Sequence, residues 1–458
     1  MSFFPAILAV SMGLNTAYNR MTVQWQNGSF STTDYHDLTK TLEMVCWGTA
    51  CMLLCICSLL SGPISVNWLK ASYLPANTIQ WLIVMMAANL SLQVPLSLYI
   101  AGFNGLQRQI VPNIIMFVSF LFQGAGGLAI AGFFKHSLVA YFAWLLIVNG
   151  FTVIVTRIVF VCNVLQYLTG RIHWAILKNI SGMAMEAGGT VLLGVCMIHT
   201  DKVLLSGLLD LDDYGVYSLA WFVASGIYLL ANPIFTAIFP RMTEMLEQNS
   251  EGDAVRLYHT ANQYMTCLVF PPALTVIFFS EEVLLAWTGN ASVAGSGAFV
   301  LSMLMIGCLL NTLGYVPYAA QLAHKWAILG LYLNAASVLI YIPVVIIFTK
   351  IWGTTGAALA WSGLFVLLLP ISLFIMHQKI MRQEFVSTIT RDLIPAALAV
   401  AGMQLLWKMV IPQHPSRNGA ILWVISAGFT SLLAALLSTE TIRQSLVAQI
   451  RLRLSGKK

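Results

Sequence analysis

The chain has 458 residues, of which 59% are hydrophobic and only 9% are charged, and its formal net charge is +6. An average soluble domain is about 25% charged, so this composition excludes a soluble globular protein. The positive charges lie mainly in predicted loops and in the C-terminal tail, and they do not indicate nucleic-acid binding.

Long uncharged stretches predict a polytopic, all-α membrane protein. Residues 71–107, 109–134 and 283–324 contain no charged side chain, and about 20 apolar residues are enough to cross a bilayer. In chain order we predict thirteen spanning helices, at residues 2–18, 43–62, 78–101, 111–134, 138–162, 174–199, 214–240, 262–286, 294–320, 328–348, 353–376, 391–411 and 418–437. The polar segments 19–42 and 241–261 are predicted to be the longest loops.

Three short patterns occur twice in the same order. Arg20-Met-Thr22 recurs as Arg241-Met-Thr243, Val94-Pro95 as Val316-Pro317, and Ala140-Tyr-Phe-Ala-Trp144 as Ala357-Ala-Leu-Ala-Trp361, at offsets of 221, 222 and 217 residues. Repeated bundles of helices are typical of transporters. The repeat predicts a two-lobed helical bundle with an N-terminal lobe at 1–172, a C-terminal lobe at 173–380, and an additional helix pair with a basic tail at 381–458.

The distribution of basic residues predicts the orientation. Alternate loops hold 17 Lys and Arg on the side of the C-terminal tail and 6 on the other side, so the positive-inside rule places the C-terminus in the cytoplasm. With thirteen spans the N-terminus would lie outside. Segment 174–199, shifted back by the repeat offset, falls before residue 1, so the first lobe lacks its opening helix. We expect either a late start or a lost helix.

Charged side chains inside predicted spans are candidate functional residues, because a charge at mid-bilayer costs about 2.5–3.5 kcal/mol. Glu186 lies near the middle of segment 174–199 and is predicted to bind a coupling ion; a carboxylate bonded to a neighbouring helix is the alternative. Asp201 and Lys202 end the same helix and predict a gate or an ion pair, with Asp201 a second candidate for the coupling ion. An interfacial pair, with the lysine reaching the membrane surface, is the alternative.

Three arginines are candidates for binding an anionic head group. Arg157 lies near the cytoplasmic end of its predicted helix, and Arg20 and Arg241 are equivalent under the repeat. A guanidinium binds phosphate through paired hydrogen bonds, although each of the three could instead anchor to lipid phosphates. Pro95 and Pro317 occupy matched positions in their spans and predict hinges, with static kinks as the alternative.

Several other polar residues lie on the predicted spans or at their edges. Four amide side chains either line a polar cavity or join helices through hydrogen bonds: Asn15, Asn19, Asn89 and Gln93. Cys51, Cys55 and Cys57 are predicted to be small helix residues rather than metal ligands, because no histidine lies near them in sequence.

The chain has no P-loop, no HExxH, no GxSxG and no GxGxxG opening a Rossmann unit, so we predict neither an enzyme nor a cofactor or metal site.

Residues 201–220 resemble the central signature of bacterial polysaccharide flippases of the O-antigen type. In this chain the signature is Asp201-Lys-Val-Leu-Leu-Ser206-Gly-Leu-Leu-Asp210-Leu-Asp-Asp-Tyr-Gly215-Val-Tyr-Ser218-Leu-Ala, and Gly102-Phe-Asn-Gly-Leu-Gln-Arg108 resembles a first-lobe helix end of the same proteins. In hydropathy and spacing the resemblance covers nearly the whole chain. These proteins belong to the multidrug/oligosaccharidyl-lipid/polysaccharide (MOP) exporter superfamily, whose members have two six-helix lobes and often two extra C-terminal helices. The missing first helix is the departure.

The resemblance implies transport of an undecaprenyl-diphosphate-linked oligosaccharide across the bacterial inner membrane by alternating access, with possible H⁺ or Na⁺ coupling. It implies that Arg157, Arg20 and Arg241 attract the head group and that Glu186 couples the ion. The implied partners are the lipid-linked oligosaccharide, membrane lipids, and a polysaccharide polymerase with chain-length proteins. A cation-coupled multidrug antiporter of the same fold, a lipid II flippase, a membrane glycosyltransferase or polymerase, and a scaffold without transport are the alternatives.

Overall fold

The computed structural model describes residues 14–15, 17–19, 21–26, 28, 30–68, 75–106, 108–133, 137–162, 170–174, 200–324, 326, 328–382, 384–410, 416–440 and 443–444. Most of the predicted spans 2–18 and 174–199 lies outside these residues. The chain divides into two compact units, Met1–Leu211 and Asp212–Lys458.

Unit 1 is built from helices that pack side by side. They are α1 (Thr32–Pro63), which continues as a π-helix (Ile64–Trp68), α2 (Ala76–Gly105), α3 (Ile110–Phe133) and α4 (Leu138–Phe160). Residues 21–26 and 200–208 are also helical. Helix α2 packs against α1 and α4, and α3 packs against α4. The core of this unit is aromatic, with Tyr18, Tyr35, Tyr99, Phe103 and Phe160 all buried.

Unit 2 contains the remaining described helices. They are α5 (Leu211–Ser225, whose first residue belongs to unit 1), α6 (Ile227–Glu247), α7 (Glu251–Phe278), α8 (Ser280–Thr288), α9 (Ala291–Leu313), α10 (Tyr315–Ala323), α11 (Ile328–Lys379), α12 (Glu384–Ser387), a π-helix (Thr388–Leu393), α13 (Ile394–Val410) and α14 (Arg417–Ser438). The C-terminal pair α13 and α14 packs on α7. Buried Gln404 of α13 donates to Thr275 of α7 at 2.5 Å and to Ser431 of α14 at 2.8 Å.

The prediction of an all-α polytopic membrane protein is confirmed. Within the described residues, nine helices are long and apolar enough to cross a membrane, and the bent pair α7–α8 makes a tenth if it counts as one span. Each predicted span apart from 2–18 and 174–199 overlaps one of these helices. Two predicted spans, 328–348 and 353–376, fall in the single helix α11, which is broken at Gly353 (φ 60°, ψ −138°).

The segments predicted as long polar loops are largely helical. Helix α1 begins at Thr32, where the Ser31 hydroxyl caps it by accepting from the backbone N of Asp34 at 3.1 Å. In the second unit α6 runs to Glu247 and α7 starts at Glu251. Polar residues end an apolar stretch without ending a helix, because helical hydrogen bonds are internal to the backbone. The hydropathy pattern therefore marks where the apolar stretch ends rather than where the helix ends.

Candidate functional site

Arg157 lies in the last turn of α4 and contacts Glu43 of α1. Its Nε donates to Glu43 Oε1, and Tyr99 Oη of α2 donates to the same oxygen at 2.7 Å. The Glu43 side chain is 7% exposed, whereas that of Arg157 is 40% exposed. Lys40, one turn before Glu43, places its Nζ 4.0 Å from Oε2. We call Lys40, Glu43, Tyr99 and Arg157 the Glu43 cluster.

The cluster forms because three helices approach closely at this level of unit 1. Glu43 belongs to the buried face of α1, which also carries Tyr35, Leu38, Thr39, Leu42 and Cys46. On α2, a Cβ added at Gly102 would lie 2.5 Å from a ring carbon of Phe160, so only glycine permits this approach. Phe160 packs edge-on against Phe103 at 5.2 Å between ring centroids. The packing therefore fixes Tyr99 and Arg157 around the carboxylate.

The cluster holds one partly exposed cation in a set orientation. A guanidinium has five N–H donors in a planar fork, and the bond to Glu43 is made by Nε. Arg157 and Lys40 supply two positive charges against the single negative charge of Glu43. The local balance is positive, so the group that this arrangement can bind is an anion, and paired hydrogen bonds to phosphate suit the guanidinium.

The chain that follows α4 returns to α1 near the Glu43 cluster. The backbone N of Arg171 donates to Asp37 Oδ1 at 2.5 Å, and the backbone N of His173 donates to Thr41 Oγ1 at 3.0 Å. Arg171 is exposed. Arg171 thus brings a basic side chain to the same end of unit 1, but the Asp37 carboxylate at this contact offsets that charge, so the positive balance still rests on Arg157 and Lys40.

The structure places the other predicted head-group arginines differently. Arg20 lies outside the described residues. Arg241 lies on α6 in unit 2, and its Nη1 is 2.7 Å from Glu244 Oε2 in the next turn. Both side chains are more than half exposed, at 59% and 51%. An exposed pair of this kind is weak, so Glu244 does not prevent Arg241 from contacting another anion.

Asp201 and Lys202 form an ion pair within unit 1, and Glu186 lies outside the described residues. Lys202 Nζ is 3.0 Å from Asp201 Oδ1 and 3.3 Å from Oδ2. The Asp201 side chain is fully buried and that of Lys202 is 12% exposed. Removing one member of a buried ion pair leaves the other charge uncompensated. The Lys202 ammonium is therefore held on the Asp201 carboxylate and does not extend away from it toward the membrane surface.

The two predicted hinge prolines have different surroundings. Helix α2 runs without interruption through Pro95, from Ala76 to Gly105. In unit 2, α9 ends at Leu313 and α10 starts at Tyr315, so a break at Gly314 lies three residues before Pro317. The two prolines match in sequence, but only the second lies beside a break in the helix.

A ladder of amides and hydroxyls joins α2, α3 and α4. Asn149 Nδ2 donates to Asn89 Oδ1 at 2.9 Å, and Gln123 Nε2 donates to Asn149 Oδ1 at 3.2 Å. Ser119 and Thr152 hydroxyls are 2.7 Å apart. Asn89 therefore joins helices rather than lining a cavity. Asn15 likewise donates to Ser97 at 2.9 Å.

Unit 2 contains a second cluster of titratable side chains. His259 of α7 has Nδ1 2.6 Å from Asp392 Oδ2 and Nε2 3.0 Å from Glu384 Oε2. Gln263, one turn along α7, donates to Asp392 Oδ1 at 2.9 Å. Asp392 lies in the π-helix that precedes α13. We call His259, Glu384 and Asp392 the His259 cluster.

Sequence reasoning identified Arg157 but missed Glu43, His259 and Asp392. Glu43 stands at the edge of the predicted span 43–62, and His259 and Asp392 also lie at span edges, where charged residues are expected. For Glu43, the signal in the sequence is the spacing of apolar residues along one face of a helix. Glu43 follows the apolar positions Tyr35, Leu38 and Leu42 on one face, which predicts that the carboxylate is buried.

Comparison with known proteins supports the predicted resemblance. No protein-family model matches the chain. The chain is 22% identical over 297 residues to a Shigella flexneri protein named "Putative O-antigen transporter", covering 65% of this chain and 70% of that protein. The lipid II flippase MurJ, in an inward closed conformation, matches with a TM-score of 0.74 and 12% identity, covering 97% of this chain and 92% of that chain.

A multidrug resistance transporter of the MATE family, in an inward-facing conformation, matches with a TM-score of 0.67 and 12% identity over 83% of this chain and 88% of that chain. That transporter is described as a member of the MOP superfamily. The chain is therefore a polytopic membrane protein with the fold of MOP-superfamily transporters. The predicted resemblance to that superfamily is confirmed at the level of the fold.

Proposed function

We propose that this protein flips an undecaprenyl-diphosphate-linked oligosaccharide from the inner to the outer leaflet of a bacterial inner membrane. The C-terminus would lie in the cytoplasm, and transport would proceed by alternating access. The similarity to the Shigella flexneri relative supports this substrate class, and the fold it shares with MurJ supports the flipping of a lipid-linked molecule.

The single observation that carries the proposal is the partly exposed guanidinium of Arg157, which Glu43 holds at the end of α4. A charge in a membrane helix is expensive and is usually paired or functional. Glu43 pairs only part of the guanidinium, and 40% of the Arg157 side chain remains exposed. A diphosphate is the part of the substrate that hydrocarbon cannot accommodate. Arg157 would bind it through paired hydrogen bonds, with Arg20 and Arg241 attracting it from the cytoplasmic side.

Energy would come from H⁺ or Na⁺ bound at Glu186 or Asp201. The Asp201–Lys202 pair would act as a gate, since breaking a buried ion pair is costly unless a new ion replaces one partner. Pro95 and Pro317 would serve as hinges. A polysaccharide polymerase and chain-length proteins would receive the flipped product.

The test is complementation of a bacterial strain that lacks its oligosaccharide flippase, scored by surface polysaccharide. We expect the wild-type chain to restore the polysaccharide and R157Q to lose most of that activity, because glutamine lacks the charge. R157K should retain partial activity, since it keeps a charge but not the paired geometry. The matched control R382Q removes an exposed arginine whose Nε donates to the Gln378 backbone carbonyl, and it should complement fully. Full activity of R157Q at equal expression would refute the head-group role.

A multidrug antiporter is the second candidate, because the MATE-family transporter shares the fold. Drug export needs cavity acids that attract organic cations, whereas the Glu43 cluster has a positive balance. Drug resistance conferred on a susceptible strain, without restoration of surface polysaccharide, would favour the antiporter. Rescue of a strain depleted of its lipid II flippase would favour that substrate instead.

A further inference from the structure

The His259 cluster contains more hydrogen-bond acceptors than an unprotonated form can satisfy. Both ring nitrogens of His259 face carboxylate oxygens, at 2.6 Å to Asp392 and 3.0 Å to Glu384. A neutral imidazole has one N–H and one lone pair, and an ionised carboxylate only accepts. A neutral ring between two carboxylates would therefore direct a lone pair at an oxygen. The observed geometry needs one additional proton, on the ring or on a carboxyl group.

We propose that His259, Asp392 and Glu384 form a proton-binding site whose ligand is the hydrogen ion itself. With the proton bound, His259 donates from both nitrogens and joins the two carboxylates. When the proton leaves to water, one N–H bond is broken, its electron pair stays on the nitrogen, and one of the two contacts becomes repulsive. Histidine is suited to this exchange because it changes charge near neutral pH.

Burial decides which contact is lost. The Asp392 side chain is fully buried, and it accepts from Gln263 Nε2 at 2.9 Å. Thr266 donates to the Asp392 backbone carbonyl at 3.1 Å, which fixes this residue against α7. Glu384 is 32% exposed and starts the four-residue helix α12. Water can hydrate Glu384 when it separates, so deprotonation releases Glu384 and leaves Asp392 bound.

The neighbouring His377 does not hold the additional proton. Its Nδ1 is 2.8 Å from the Leu373 carbonyl, which only accepts, so Nδ1 carries the hydrogen. Thr388 donates to the Glu384 carbonyl at 2.8 Å, which leaves Tyr258 Oη, 3.3 Å away, to donate to Nε2 of His377. Nε2 also lies 3.2 Å from Thr388 Oγ1, and because His377 is buried and its bonds are to neutral groups, the neutral ring is favoured. The additional proton therefore belongs to the His259 cluster.

Four basic groups on or beside the helices around His259 have partners of their own. Arg256 pairs with Asp253, Arg391 pairs with Glu440, Lys379 lies 4.1 Å above the Trp326 ring, and Arg382 donates to the Gln378 carbonyl. The π-helix Thr388–Leu393 separates Glu384 from α13, and π-helical turns occur often at functional sites. Protonation would thus tie Glu384, at the start of α12, to α7.

Hydrogen–deuterium exchange of the full-length protein in a bilayer mimetic tests this site without measuring transport. We expect the protection of the backbone amides at 384–393 to fall about tenfold or more between about pH 5 and pH 8, after correction for the intrinsic effect of pH on exchange. The fall is expected because the hydrogen bond between His259 and Glu384 is lost. E384Q should keep its protection across this range. Its amide can accept from an N–H or donate to the lone pair, so it bonds His259 in both states.

Two further variants complete the experiment. E384A should show low protection at every pH, because the contact is absent. The control H324Q removes another histidine of unit 2, whose Nδ1 contacts the Ala320 carbonyl, and it should keep the wild-type pH profile. A wild-type profile that is flat with pH, or an E384Q profile that falls as the wild type does, would overturn the proposal whether or not the protein is a flippase.

Discussion

At the scale of single residues, a carboxylate decides how Arg157 can be used. Glu43 is buried and accepts from both Arg157 and Tyr99, so it fixes the guanidinium plane rather than leaving the side chain to extend toward lipid phosphates. Arg157 could be chosen from the sequence because it interrupts an apolar run. Its partner is 114 residues away in the chain, and only the packing of α1 against the other helices shows that the two meet.

The Glu43–Arg157 bond should contribute measurably to stability. E43Q keeps an acceptor for Tyr99 but removes the charge that compensates Arg157. We expect it to lower the free energy of unfolding by about 1.5–3 kcal/mol, which is the contribution of a hydrogen bond to a charged group. The control E244Q makes the same change in the exposed pair with Arg241 and should cost less than about 1 kcal/mol. Reversible unfolding of the purified protein in detergent measures both. Equal effects of the two variants would contradict the assignment of a structural role to Glu43.

At the scale of elements, the breaks between helices depend on backbone conformation more than on hydropathy. Helix α11 contains two predicted spans, and the chain turns between them at Gly353, with φ at 60°. Side chains other than glycine rarely adopt this conformation. The sequence located the break to within a few residues because Gly353 follows an apolar run. It did not reveal that α1 and α7 extend well beyond the predicted spans, since polar helical turns look like loops in a hydropathy profile.

Gly353 offers a test of that conformational requirement. An added Cβ at Gly353 would meet no atom within 4 Å, so G353A should destabilise the protein through its backbone angles alone, by about 1–3 kcal/mol. The control G363A lies in the same helix, is exposed, and also has open space for a Cβ. It should be neutral or stabilising by up to about 1 kcal/mol. Thermal unfolding of both variants checks this, and a G353A protein as stable as G363A would count against the observed turn.

At the scale of the whole molecule, the fold and the charge distribution together predict the orientation in the membrane. The loops and tail on one side carry 17 Lys and Arg, against 6 on the other. The described spans agree with that count if the bent pair α7–α8 counts as one span and α11 crosses twice, which the turn at Gly353 permits, and if the predicted span 174–199 crosses once. The C-terminus would then lie in the cytoplasm.

Reporter fusions test the orientation directly. A green fluorescent protein fused after residue 458 should fluoresce, because it folds in the cytoplasm, and alkaline phosphatase at the same point should be inactive. Phosphatase inserted at 411–415, between α13 and α14, should be active, since a single helix separates the two positions. The insertion is the internal control for expression. The reverse pattern of activities would show that the positive-inside rule fails for this chain.

The sequence by itself determined the class of protein, most of the spans and the repeat, and it singled out Arg157 as a candidate. These features follow from the cost of placing charge and unpaired backbone groups in hydrocarbon, which acts locally along the chain. Only the tertiary structure decided which charges meet. Glu43 with Arg157, and His259 with Asp392 and Glu384, are pairs between distant helices. Their chemistry depends on distances of a few ångströms, and those distances are set by how residues such as Gly102 and Phe160 allow the helices to pack.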